Sequence, residues 1–179
     1  LPDDAHAQPN LNDYEALRAT FTWEHSPETT LYAQFAKGNS PGGFNDPAAP
    51  VTTFDEETLS NYEIGAKTRW LGFDYLNASL FLNVLDNQVL TNTFQTLAVV
   101  QSFRANIGET ETLGLEFEGL KSFNDNWTFR FAYSYLDSEI TEGVDGDQAV
   151  LLLGAACKTG SAINLDRPGC RAAGSIVGK

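Results

Sequence analysis

The sequence predicts an all-β fold of antiparallel, up-and-down strands, and three observations predict it. Apolar and polar residues alternate with period two in six separate runs, as they do where successive side chains point to opposite faces of a strand. The 15 Gly and 7 Pro residues gather with Asn, Asp, Ser and Thr between those runs, where turn chemistry belongs. The connections between runs alternate short and long. At 179 residues, 42% hydrophobic and 12% aromatic, the chain is ordered rather than disordered in composition.

The first strand is expected over about 14–25, with Leu17, Ala19, Phe21 and Trp23 on one face and Arg18, Thr20, Thr22 and Glu24 on the other. The turn SPETT leads into a second, about 30–37, which sets Leu31, Ala33 and Phe35 against Tyr32 and Gln34. The third, about 59–70, is the cleanest: Tyr62, Ile64, Ala66, Thr68 and Trp70 alternate with Asn61, Glu63, Gly65, Lys67 and Arg69. A fourth, about 75–89, sets Leu76, Ala78, Leu80, Leu82 and Val84 against Tyr75, Asn77, Ser79, Phe81 and Asn83. A fifth, about 106–120, opposes Leu113, Leu115 and Phe117 to Thr112, Gly114, Glu116 and Glu118. After SFNDNW the sixth, about 127–139, opposes Phe129, Phe131, Tyr133 and Tyr135 to Thr128, Arg130, Ala132 and Ser134.

Alternation alone fits a soluble sandwich as well as a membrane barrel, since both bury one face of each strand. The connections discriminate. Those after the first, third and fifth runs are short, whereas loops of about 38–58, 87–105 and 140–179 follow the others, the asymmetry of short periplasmic turns and longer extracellular loops in outer-membrane barrels. Threaded that way, Trp23, Trp70 and Trp127 all reach the short-turn edge on the apolar parity, and Tyr62, Tyr133 and Tyr135 lie toward the other edge on the same parity. Two aromatic belts flanking an apolar band form the girdle that a bilayer selects. The charges Arg18, Glu24, Glu63, Lys67, Arg69, Glu116, Glu118 and Arg130 share the opposite parity, which is therefore expected to face the lumen. A one-residue slip would turn Lys67 and Arg69 to lipid at roughly 2–4 kcal/mol each near the midplane.

Composition excludes other classes. A net charge of −13 without a basic stripe opposes a nucleic-acid partner, whose binding needs Lys and Arg on phosphates. No run approaches the roughly 18 apolar residues of a transmembrane helix, and Leu1–Asn10 does not read as a signal peptide. Cys157 and Cys170 are too far apart for a CxxC motif. They read as a disulfide closing a surface loop in an oxidising compartment, with two unrelated thiols as the alternative.

Three segments resemble TonB-dependent outer-membrane receptors. LYAQFAKGNSPGGFN (31–45) resembles that family's tyrosine-bearing strand followed by Lys-Gly and Pro-Gly-Gly-Phe-Asn, ETLSNYEIGAKTRWL (57–71) resembles its Asn-Tyr-Glu-x-Gly-x-Lys strand, and NIGETETLGLEFEGLKSFNDNWTFRFAYSYLDSEI (106–140) its late hairpin. The resemblance implies a segment of about six strands from a plugged barrel of about 22 strands, in which an inner-membrane energy-coupling complex acts on the plug. Residues 1–179 are expected to hold part of that barrel domain without the plug, the TonB-contacting segment or a final aromatic-terminated strand. Six strands do not close such a barrel, and open edges are not tolerated in lipid, so the chain is expected to be a fragment.

The lumen-parity charges have two readings: contacts to a plug or substrate path, or a ladder of cross-strand ion pairs that keeps the wall polar. Ligand selection is expected on the Gly38–Asn45 loop, with Phe44 at its tip, and on the long loop from Asp137. No metal or cofactor site is expected: His6 and His25 are isolated, and Asp145 and Asp147 lack EF-hand spacing. No nucleophile–base grouping points to an enzyme, and Glu116 with Glu118 is weak evidence for glycosidase chemistry. The expected function is TonB-dependent uptake of a scarce nutrient across the bacterial outer membrane, such as a ferric siderophore, a cobalamin or an oligosaccharide, with membrane lipid and the TonB complex as partners. The alternatives are a passive porin or adhesin barrel, which an upstream plug would eliminate, and a secreted β-sandwich carbohydrate-binding module, which would be soluble without detergent.

Overall fold

The computed structural model describes residues 15–49, 51–95, 100–159 and 162–178. Six long strands dominate: β1 (Ala16–Ser26), β2 (Thr29–Ser40), β5 (Glu57–Thr68), β6 (Tyr75–Gln95), β7 (Val100–Asn124) and β8 (Trp127–Gly143). They form one antiparallel sheet in the order β1-β2-β5-β6-β7-β8, each strand beside its sequence neighbour except where the two-residue strands β3 (Gly43–Phe44) and β4 (Thr53–Phe54) intervene as a separate hairpin. The all-β, antiparallel up-and-down expectation holds.

The short-turn edge is fastened by side chains. At the β7–β8 turn the Asn124 carboxamide oxygen accepts the N–H groups of Asn126 (2.9 Å) and Trp127 (3.0 Å), an Asx turn. Between β5 and β6, Leu71 (φ 57°) and Gly72 (φ 71°) adopt left-handed backbone. The Arg69 N–H reaches the Glu28 carbonyl in the β1–β2 turn (3.0 Å), and Asp74 takes the Ser122 N–H (2.8 Å). Each turn is thereby bonded to its neighbour along the edge.

Three expectations are corrected. The stretch 87–105 is not a loop over its described part: β6 and β7 continue as a paired ladder to Gln95↔Val100. A bulge between Leu85 and Val89, with Asn87 at φ 56°, shifts side-chain parity, and beyond it polar residues occupy both faces, so the period-two signal ends while backbone pairing does not. Trp70 and Arg69 are not strand residues, because β5 ends at Thr68 and Trp70–Gly72 form a 3-10 turn. The region after 140 is more than a loop: β8 runs to Gly143, and α1 (Gly146–Leu153), the small hairpin β9 (Lys158–Thr159) with β10 (Ala162–Ile163), and α2 (Cys170–Ala173) follow. The Cys157–Cys170 disulfide, with Cα atoms 5.5 Å apart, joins these pieces, and the Gly178 N–H returns the segment to β8 at the Ile140 carbonyl (2.9 Å). The expected start of the first strand, position 14, lies outside the described residues.

The sheet is a single layer. Among the described residues the buried apolar side chains are Ala49, Ala149, Cys157 and Cys170, all outside the long strands. Phe21 is 73% exposed and Ile64 57%. Among the described residues the other two sheets are two-stranded pairs, so nothing supplies the second layer a β-sandwich requires.

Candidate functional site: two faces and a rim

Register sorts the strands into two surfaces. Directly opposed residues share a face, and one continuous row runs Trp23–Leu31–Ala66–Ala78–Phe117–Tyr133 across all six strands. Two residues up the strands, the next row is Phe21–Ala33–Ile64–Leu80–Leu115–Tyr135. Every side chain in both rows is apolar or aromatic. The turns drift along this register. From the first row the β1–β2 hairpin closes two residues on, at Thr29, whereas β7–β8 closes seven residues on, at Asn124, a stagger of about one residue per strand, which is the shear of tilted barrel strands. Corrected for that stagger, Trp23 and Trp127 fall within about two residues of one level, with Trp70 in the turn at the same edge, and Tyr62, Tyr133 and Tyr135 fall within about two residues of a second. The levels are about seven residues apart, roughly 20 Å.

The other face carries Arg18, Glu24, Glu63, Lys67, Glu116, Glu118 and Arg130. The ion-pair ladder is corrected here: among the described residues the ion pair is Arg171–Asp166, in the last segment. Neutral partners take its place. Arg18 donates to the Gln34 carboxamide (2.8 Å), Tyr32 donates to Glu63 (2.6 Å), Asn77 to Glu118 (2.7 Å), and Asn61 to Asn83 (2.8 Å). The Lys67 ammonium lies 5.6 Å from the Tyr32 ring centre, within cation–π range. Register explains the correction, since charges on this face stand opposite amides rather than opposite charges: Glu63 opposes Gln34, and Lys67 and Glu118 both oppose Asn77. Arg69, expected on this face, sits instead in the turn. Gly114 is where it is because the Phe81 ring lies against it, leaving no room for a Cβ, and Gly65 accommodates Tyr32 in the same way. Sequence reading placed both aromatics on the polar parity but missed this packing; the paired signal is a glycine directly opposite an aromatic, Phe81↔Gly114 and Tyr32↔Gly65.

At the long-connection edge a rim rises above both faces. Phe44 is half-exposed there on the β3–β4 hairpin. A pocket of about 620 Å³ is lined by Lys37, Thr58, Asp86, Glu109, Glu142 and Arg171, among others. The Asp86 carboxyl is held above the usual carboxylate range by its hydrogen bond to Glu109, then by burial and the charge of Glu109. Glu109 is held below that range by the Thr141 hydroxyl, which donates at 2.6 Å, and by Asp86. The two directions favour Asp86 over Glu109 as the group that takes up a proton as pH falls. Neither residue, nor the rim asparagines Asn45 and Asn106, stood out in sequence, because all lie where the alternation has ended. Among the described residues no group of three or more His, Cys, Asp or Glu side chains could hold a metal ion.

Comparison with known proteins agrees with this geometry. Residues 4–154 match the family model described as TonB dependent receptor-like, beta-barrel. A similar protein is the probable TonB-dependent siderophore receptor PiuA of Acinetobacter baumannii, 26% identical over 164 residues that cover 87% of this chain and 20% of the relative. The chain thus spans about a fifth of that protein's length. No solved structure matches. The register, the stagger and the matched residues together identify the chain as a member of the TonB-dependent receptor-like β-barrel family.

Proposed function

We propose that this chain is a stretch of the outer-membrane wall, with part of the extracellular rim, of a receptor that takes up a scarce nutrient such as a ferric siderophore in a TonB-dependent manner. The observation that carries the reading is the uncovered apolar face, bounded by aromatic levels roughly 20 Å apart, in a fold that cannot leave so large an apolar surface in water. Such levels bracket most of the apolar band of about 25 Å that membrane barrels present to lipid. The hydrogen-bonded polar face then lines the lumen, the three short turns lie in the periplasm, and the rim faces outside. The siderophore reading rests on the name of the similar protein from Acinetobacter baumannii. The TonB complex would engage other parts of the receptor.

Orientation is tested in cells expressing the intact receptor, with a membrane-impermeant maleimide. Phe44→Cys is expected to label in whole cells, and Asn126→Cys only after the outer membrane is permeabilised. Equal or reversed labelling overturns the reading. Growth of a receptor-deficient strain on individual ferric chelates, restored by the parent gene, identifies the ligand.

A further inference from the structure

The loop between β2 and β5 is bonded to a strand three places away in the sheet. The Asn45 carboxamide oxygen accepts the Arg104 N–H (2.8 Å), and its amide donates to the Arg104 carbonyl (2.7 Å) and to the Val51 carbonyl (2.9 Å). Arg104 lies in β7 beyond its last pairing with β8, Gly108↔Gly143, so this side chain supplies strand-like partners to a stretch of β7 that β8 no longer covers. Asn106 makes the reciprocal bond. Its carboxamide oxygen accepts the Asp55 N–H (2.7 Å), and its amide donates to the Asp55 carbonyl (3.0 Å) and to the carbonyl of Asn87 in the β6 bulge (2.8 Å).

Two further contacts close the joint. The Arg104 guanidinium lies 5.8 Å from the Phe54 ring centre. Gly42 and Gly43 let the β3 backbone approach Phe54 where a Cβ at either would collide with its carbonyl or ring. A carboxamide that bonds both backbone groups of a distant residue fixes distance and rotation together, as an antiparallel residue pair does.

We propose that Asn45 and Asn106 are positioning residues that lock the 42–55 loop and the extended β6–β7 hairpin into one rigid rim, which presents Phe44 to incoming ligand. The rim's role in ligand capture rests on the receptor reading above; the lock itself does not. A preorganised rim binds without first ordering its loop, so loosening it weakens capture more than it slows later steps. In transport kinetics the loss falls on half-saturation and leaves the maximal rate in place.

The lock is tested by hydrogen–deuterium exchange on the intact receptor in detergent micelles without ligand. Asn45→Ala is expected to raise exchange about 10- to 100-fold at Phe54–Asp55 and, with it, at Arg104 and Asn106, while the β1–β2 hairpin stays unchanged. Asn45→Asp keeps the acceptor for the Arg104 N–H and loses both donors, so it falls between parent and Ala. Unchanged exchange at Arg104 and Asn106 overturns the lock. Uptake of a radio-iron-labelled ferric tris-catecholate and a tris-hydroxamate is then measured. A raised half-saturation at constant maximal rate is expected for Asn45→Ala. Unaltered uptake despite coupled exchange overturns the positioning role, and a parent receptor that imports neither probe counts against the receptor reading while the exchange result decides the lock.

Discussion

Ala78→Lys tests the assignment of faces most directly. Ala78 lies on β6 between Ala66 and Phe117, midway between the tryptophan and tyrosine levels. If this face met water, an added ammonium would change stability by no more than about 0.5 kcal/mol. Against hydrocarbon near mid-height the cost is roughly 2–4 kcal/mol, an increase of about 30- to 900-fold in the unfolding constant. Asn77→Lys, one residue away on the opposite face, is the control. Asn77 now donates to Glu118 at 2.7 Å, and a lysine there keeps that acceptor, so its cost stays within about 1 kcal/mol. The assay is denaturant unfolding of the intact receptor in phospholipid vesicles, followed by heat-modifiable electrophoretic mobility. A tolerated Ala78→Lys, or an Asn77→Lys at least as costly, would refute the facing derived from the register.

Two further predictions concern the polar face and the rim. Gly114→Ala drives the Phe81 ring from its place and is expected to cost about 1–3 kcal/mol; combined with Phe81→Ala it should become nearly neutral, and strictly additive costs in the double-mutant cycle contradict the packing. Asp86 has a raised pKa, so its contribution to the rim junction is present at low pH and lost as pH rises through that raised value, whereas the contribution of Glu109, with a lowered pKa, is lost as pH falls through its own. The junction should hold best between the two. Asp86→Asn, which can donate to Glu109 at any pH, should abolish the loosening on the alkaline side, read as intrinsic-rate-corrected amide exchange at Asn87–Gln88 and Glu109; persistence of that loosening in the variant sinks the shared-proton account.

The fold was legible because one signal, period-two alternation, is imposed by an uncovered apolar face over the whole height of the band. Residues 61–67 carry it without interruption and 76–84 with Phe81 alone on the polar parity, and the three tryptophans mark where it stops. It failed where that constraint lapses. Past Val84 neither face must be apolar, so the ladder from Gln88 to Gln95 left no mark in hydropathy although its backbone is paired. Arg69 and Trp70 alternate correctly in sequence, yet the left-handed Leu71–Gly72 pair ends the strand before them. The rim was illegible for a different reason: Asn45 and Asn106 act through backbone groups of residues on distant segments, and nothing in a single sequence records which carbonyl a carboxamide will meet.

The polar face adds a physical point about why this wall bonds charges to neutral partners. An ion pair gains little where water penetrates, since Coulomb attraction at 4 Å is about 1 kcal/mol in water, and it fixes two long side chains at an entropic cost. A charge bonded to a short amide or a tyrosine hydroxyl, as Glu118 is to Asn77 and Glu63 to Tyr32, gains a charge-assisted hydrogen bond of about 1.5–3 kcal/mol while ordering only one long chain. Because each such acceptor is still a carboxylate, the polar face keeps its formal charge. The aromatic partners do the rest of the work: with Tyr32 laid over Gly65 and Phe81 over Gly114, the strands carry flat, rigid surface between the charges, so the register is specified on the polar face by glycine–aromatic pairs as firmly as it is on the other by the demand for an unbroken apolar row.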